Sequence, residues 1–217
     1  MSLINLSDYI GENNIQSVIH LLSNGADVNM RNCDGTVAIN TACEHNHTAI
    51  LSILLNHPNI NINITNIYGS SAIFTCCGVS SSYESLLLLL SDARTDINLT
   101  DKWGWTCLMM ACYYDNIKHI KLLLAYGRFV DVQKKTKLEF GGWCVIWEGS
   151  TVADFAIEIN NREVITLIQN YILDPLDTQK RLRDELNLKG ATVDPSHITH
   201  HPPNSNFVFF CTSTNLP

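Results

Sequence analysis

Apolar residues recur along this chain at helical spacing in short stretches, and the stretches themselves recur at a longer interval. Ala49–Leu55 (AILSILL) and Ile117–Leu124 (IKHIKLLL) set apolar side chains three and four positions apart, which predicts short amphipathic helices. The longer interval is 34 or 35 residues. Gly35, Gly69 and Gly104 keep it, as do the β-branched positions Val28, Ile62, Ile97 and Val132. Ala42, Cys76 and Ala111 follow the same spacing, and so do Leu54, Leu88 and Leu123, with Leu21 lying 33 residues before Leu54. Within each period the pattern reads as a glycine turn, a short helix with a small residue at its centre, and a second helix rich in Leu and Ile. One such unit exposes an apolar face. Stacked neighbours bury it, so the predicted architecture is an all-α solenoid held together mainly by contacts between adjacent units.

The residues that carry this pattern resemble the ankyrin repeats. Asn14–Asn29 (NIQSVIHLLSNGADVN) is similar to the second helix and exit of such a repeat, and Asp34–Ala42 (DGTVAINTA) to the turn and opening of its first helix. Gly149–Ala156 (GSTVADFA) resembles the form taken by a last repeat, and Thr106, Cys107 and Leu108 stand where the family has Thr-Pro-Leu. The resemblance runs from about residue 8 to 173 and recurs five times. It implies about five helix-turn-helix repeats with β-turn fingers, near 1–31, 32–65, 66–100, 101–145 and 146–173. The family's helix-starting proline is absent: Ala38, Ala72, Cys107 and Val152 occupy its place, so the preset φ at the first helical position is lost. The capping Thr survives as Thr106 and Thr151, with Ser71 substituting and Val37 unable to cap. The array is expected to be less stable than a consensus one.

From the exit residue to the next turn glycine the chain runs seven residues in three cases, but 17 from Val132 to Gly149. Ten residues are thus added in one finger. The added stretch, 134–147, holds TKLEF (Thr136–Phe140) and WCVIW (Trp143–Trp147) around Gly141-Gly142, the pattern of a β-hairpin with a tight turn. Symmetric closure would set Phe140 opposite Trp143, Leu138 opposite Val145 and Thr136 opposite Trp147. An isolated hairpin is marginal in water, so its apolar face needs cover, either from the array or from a partner.

Asp174-Pro175 ends the last repeat helix, because the residue before proline avoids the α region. A further helix is expected from Asp177 or Thr178 towards Gly190, with Leu182 and Leu186 on one face. It reads as a cap on the last repeat or as a docking helix. Residues 174–217 therefore form a separate C-terminal helix and an irregular tail that ends in the apolar run Phe207–Cys211.

Bulk properties narrow the function. A net charge of −7 argues against nucleic acid as a partner, since an acidic field repels phosphates. The N-terminal stretch has no basic and apolar leader pattern, and the longest aliphatic run, Leu86–Leu90, is far too short to span a bilayer. The expected location is the cytoplasm, with the nucleus as the alternative, and the expected state is a monomer. Eight cysteines without Cys-x-x-Cys spacing read as reduced core thiols rather than disulfides or metal ligands. Four Asn-x-Ser/Thr sequons (Asn5, Asn46, Asn63, Asn98) read as accidental. No nucleophile elbow, Gly-rich phosphate loop or HExxH is present, so neither an enzyme nor a cofactor is expected.

The resemblance implies binding of another protein through finger tips and the exposed ends of inner helices. At those positions stand Tyr68, Lys102, Trp103, Trp105, Tyr113, Tyr114, Trp147 and Glu158, with Phe140 and Trp143 added by the insert. Aromatic side chains are costly to leave in water and common at binding hot spots. The opposing reading is that some of these rings pack between fingers and bury one another. A different role is also open: the array as a spacer, with the C-terminal helix and tail docking into a larger complex such as a protein-turnover machine.

Overall fold

Eleven helices lie among the residues that the computed structural model describes, which are 6–33, 35–126, 130–137 and 149–188. They alternate between two rows. The inner row is α1 (Leu6–Gly11), α3 (Ala38–Glu44), α5 (Ala72–Gly78), α7 (Cys107–Tyr113) and α9 (Val152–Glu158). The outer row is α2 (Ile15–Ser23), α4 (Thr48–Leu55), α6 (Tyr83–Ser91), α8 (Ile117–Ala125) and α10 (Arg162–Leu173). Each inner helix packs on the next inner helix and on its own outer partner, and each outer helix packs on the next. The result is the all-α repeat solenoid that the period predicts.

Small residues make the inner row possible. Ala42, Cys76, Ala111 and Ala156 are buried, as are Cys43, Cys77 and Cys112 one position on, so neighbouring helices approach closely without large side chains between them. The exit residues Val28, Ile62, Ile97 and Val132 are all buried, as one repeated environment requires. Leu54 and Leu123 are fully buried in the outer row, whereas Leu88 in the same register is half-buried.

The inner helices start where the residues predict, at Ala38, Ala72, Cys107 and Val152, yet each start is secured differently. The Thr106 hydroxyl accepts from the Met109 N–H at 3.2 Å, and the Ser71 hydroxyl accepts from the Phe74 N–H at 3.5 Å. At Thr151 the Asp154 carboxylate accepts from both the backbone N–H, at 2.7 Å, and the hydroxyl, at 2.8 Å. Val37 provides no side-chain cap. At their other ends α1, α3, α7 and α9 give way to Asn13, Asn46, Asp115 and Asn160, all with positive φ, a conformation that Asn and Asp tolerate best among residues with a side chain. The exit of α5 departs from this. Ser82 there donates its hydroxyl to the carbonyls of Cys76 and Val79, at 2.7 and 2.6 Å, satisfying the helix end from the side chain.

The C-terminal helix, α11 (Pro175–Glu185), begins two or three residues earlier than the sequence suggests. Asp174 ends α10 and caps α11 at once, its carboxylate accepting from the Asp177 N–H at 3.0 Å, and Pro175 sits at the first helical position, where its missing N–H costs nothing. The helix does not extend the inner row. It lies on the outer row across α8 and α10, burying Leu182 with Leu186 half-buried. Arg183 donates to the Ala125 carbonyl at the end of α8 (2.7 Å), and Lys121 of α8 bridges Glu163 at 2.8 Å and Glu185 at 2.7 Å.

Candidate functional site

The finger tips are built on one hydrogen-bonded frame. In the first finger the Asn32 N–H donates to the Thr36 carbonyl, the Gly35 N–H donates to the Asn32 carbonyl, and the Thr36 N–H donates to the Asn32 side chain. Asn66 with Gly69 and Ser70 repeats this frame, and Asp101 with Gly104 and Trp105 repeats it again. In the fourth finger Thr136 takes the same place. Its N–H donates to the Ser150 carbonyl, its carbonyl accepts from the Gly149 N–H, and its hydroxyl accepts from the Ser150 N–H. Thr136 thus closes the finger base with Gly149 and Ser150, and its expected facing with Trp147 lies outside the described residues. Thr136 and Gly149 bracket the added residues along the chain. The hairpin itself lies outside the described residues.

The tips are also joined to one another. The Lys102 N–H donates to the Tyr68 carbonyl at 3.1 Å, and the Lys137 N–H donates to the Trp103 carbonyl at 2.8 Å. This is why glycine is needed at Gly69 and Gly104. Both have φ of +79°, and a Cβ at Gly69 would meet the Lys102 nitrogen at 2.8 Å, while one at Gly104 would meet the Lys137 nitrogen at 2.9 Å. The fingers thus form a continuous, backbone-stitched edge from Tyr68 to Lys137.

The residues proposed from the sequence fall into two groups on this frame. Tyr68, 53% exposed, stacks with half-buried Trp103 of the next finger at 6.4 Å between ring centroids, with exposed Lys102 beside them. Tyr113 and Tyr114, 47% and 54% exposed, meet edge to face at 5.2 Å at the far end of α7, and exposed Glu158 holds the equivalent end of α9. A seven-residue helix, about 10 Å long, separates the two groups. Trp105 stands between them but is only 7% exposed. Its ring packs edge to face on Phe155 at 4.6 Å and on Tyr113 at 5.3 Å, so it belongs to the joint between repeats. Phe140, Trp143 and Trp147 lie outside the described residues.

Three of the four asparagine sequons, at Asn46, Asn63 and Asn98, have partners that sequence alone hides. The Asn63 side chain donates to the Arg94 carbonyl and accepts from the Asp96 N–H, and Asn98 accepts from the Asp131 N–H. Asn29, at the same repeated position, donates to the Asn59 carbonyl and accepts from the Asn61 N–H. These amides rivet the first four repeats together in sequence. Asn46 acts likewise, accepting from both the N–H and the hydroxyl of Ser85. The only available signal was their spacing, Asn29, Asn63 and Asn98 being 34 and 35 apart.

Three of the buried thiols are held in the protonated form by their surroundings. Burial pushes the Cys43 and Cys77 thiols well above the ordinary range, and burial together with Asp115 pushes Cys112 up to about 12. All six described cysteines are free. Among the described residues no three His, Cys, Asp or Glu side chains converge as a metal site, and no helix is long and apolar enough to cross a membrane.

Comparison with known proteins agrees with this geometry. The family profile described as ankyrin repeats (3 copies) matches residues 6–101 and again 79–179. A putative ankyrin repeat protein of Acanthamoeba polyphaga mimivirus is 24% identical over 208 residues, 91% of this chain and 25% of that protein. The human transient receptor potential cation channel subfamily A member 1 is 25% identical over 131 residues, covering 60% of this chain and 12% of the channel. Mouse Rabankyrin-5 is 25% identical over 125 residues, 57% of this chain and 11% of its own length. The chain spans a quarter or less of each of these relatives. Its period, its paired helices and the match over most of its length place it in one family, and this chain belongs to the ankyrin repeats.

Proposed function

We propose that this chain is a non-enzymatic interaction module that binds a segment of another protein across its fingers and the exposed ends of its inner helices. Ankyrin repeats generally mediate protein–protein interaction. The observation that carries the reading for this chain is the stacked pair of Tyr68 and Trp103 on consecutive finger tips, fixed by the backbone bond from Lys102 to Tyr68. Rings held in place before binding lose little freedom on binding, which is how aromatic anchors gain affinity. Tyr113, Tyr114 and Glu158 extend the surface, with Trp105 supporting Tyr113 from beneath. The reading includes five repeat units, a monomer and an extended fourth finger.

The test is a double variant, Tyr68→Ala with Trp103→Ala, compared with the unaltered chain for capture of partners from the native cell by quantitative mass spectrometry. The variant keeps its far-UV spectrum and urea midpoint and loses its partners by at least tenfold. Undiminished capture by a folded variant would move the binding site elsewhere. The spacer reading is separated by removing residues 189–217, which leaves α11 and its contacts to α8 intact. Loss of partners from that shortened chain transfers the function to the tail.

A further inference from the structure

We infer that the finger edge between Tyr68 and Lys137 takes an acidic peptide, an extended segment whose Asp and Glu side chains face the lysines while an apolar or planar residue lies on Tyr68 and Trp103. This rests on the reading of the fingers as a binding surface and adds the chemical class of the partner. The chain as a whole carries −7, with only 14 Lys and Arg. Four of those 14, Lys102, Lys134, Lys135 and Lys137, fall in the two short finger segments 101–104 and 134–137, which the Lys137-to-Trp103 backbone bond holds side by side.

Lys102, Lys135 and Lys137 are exposed and Lys134 is half-buried. Among the described residues none of the four has an ion-pair partner; the ion pairs there belong to Arg94 and Lys121. The carboxylate within these segments, Asp101, is buried and accepts from the Trp103 and Trp105 N–H groups, so it faces inward to hold the turn. Clustered like charges repel one another, and a ligand of opposite sign relieves that repulsion.

The opposite border of the surface has the other sign. Glu44, Asp115 and Glu158 are exposed at the far ends of the inner helices or in the turns that follow them. An extended polyanion such as a nucleic-acid strand would meet that acidic border as it left the fingers. A short peptide can confine its acidic side chains to the finger edge, and this asymmetry favours peptide over nucleic acid. The aromatic pair supplies the apolar part of the contact, and the lysines supply orientation and association rate.

The experiment selects a phage-displayed random dodecapeptide library on the full chain, then measures fluorescein-labelled copies of the most enriched sequences by fluorescence anisotropy. The expected result is enrichment of peptides with more Asp and Glu than Lys and Arg and at least one aromatic or aliphatic anchor. Lys102→Glu, Lys135→Glu and Lys137→Glu together weaken their binding at least tenfold at low salt, with a smaller loss at high salt, while Lys118→Glu on α8 leaves it unchanged. Enriched peptides that are neutral or basic, and lose affinity with Tyr68→Ala and Trp103→Ala, would overturn the acidic class while leaving the binding surface standing. No enrichment, or enrichment indifferent to every one of these substitutions, would overturn both. A fluorescein-labelled 20-nucleotide single-stranded DNA of mixed sequence that binds as tightly as the peptides and is lost on the triple charge reversal would assign the edge to nucleic acid instead.

Discussion

The first and third fingers share a backbone and differ in what they carry. Asn32 and Asp101 close their turns with the same set of hydrogen bonds, and Gly35 and Gly104 follow with φ of +78° and +79°. Yet the first finger leads into α3 through the uncapped Val37 and bears Arg31, whose guanidinium donates to the Thr65 carbonyl of the next finger. The third leads into α7 through the capped Thr106 and bears Lys102, Trp103 and the buried Trp105. Frame residues repeat because every finger must close and stack. Tip residues vary because closing the turn does not depend on their side chains, and they are where a binding specificity can be written.

The largest effect should separate two tryptophans of this third finger. Trp105→Ala removes a ring packed on Phe155 and should cost about 3–5 kcal/mol in urea unfolding, whereas Trp103→Ala should cost less than about 1 kcal/mol. Equal costs would show that the finger does not divide its rings between core and surface. Next, Gly104→Ala combines a positive φ with contact against the Lys137 backbone and should cost about 2–4 kcal/mol. Gly25→Ala, with φ of +85° and open space around it, should cost only about 1–2 kcal/mol. A Gly104→Ala variant no worse than Gly25→Ala would mean that the tips are not stitched together.

The caps give a smaller contrast. Thr106→Ala should lower stability by about 1 kcal/mol, and Val37→Thr should raise it by about 0.5 kcal/mol by supplying the bond that α3 lacks. A neutral or destabilising Val37→Thr would mean that losing a buried methyl outweighs the cap. The smallest effect lies away from the fingers, at buried His119, whose ring meets Tyr83 edge to face at 6.0 Å. Burial lowers its pKa, with Glu84 opposing, so on acidification the unfolded chain binds the proton first. Stability from this group is complete above about pH 6.5 and is lost as pH falls through that value towards the lowered folded one. His119→Gln should flatten the urea midpoint over this window, and an unchanged slope would assign the pH dependence to other groups.

Much of the fold was legible because it is repetitive. A residue such as Ala42 or Val28 meets the same surroundings in each unit, so its type recurs and its burial can be read from the recurrence. The site was legible only as a set of positions. Trp103 and Trp105 lie two residues apart in one finger, and nothing in their spacing says which ring turns outward. That depends on Phe155, which comes 50 residues later and packs on Trp105 from the next repeat. The asparagine rivets were hidden for the same reason, because Asn63 finds its carbonyl at Arg94 and Asn46 its partner at Ser85. The C-terminal helix could be anticipated from its Leu182 and Leu186 face, but its seat across α8 and α10 depends on Arg183 reaching Ala125 and on Lys121 reaching two glutamates.

The sequence by itself determined the period, the starts of the inner helices and the glycine turns, since these follow from local geometry and from apolar faces that one unit cannot bury alone. Tertiary structure decided which described aromatic rings are surface and which are core, how Thr136 closes the base of the fourth finger, and how lysines from two fingers come to share an edge. Those outcomes depend on contacts between residues about one repeat apart, and a pattern along the chain carries no record of which side chain a neighbouring unit will cover.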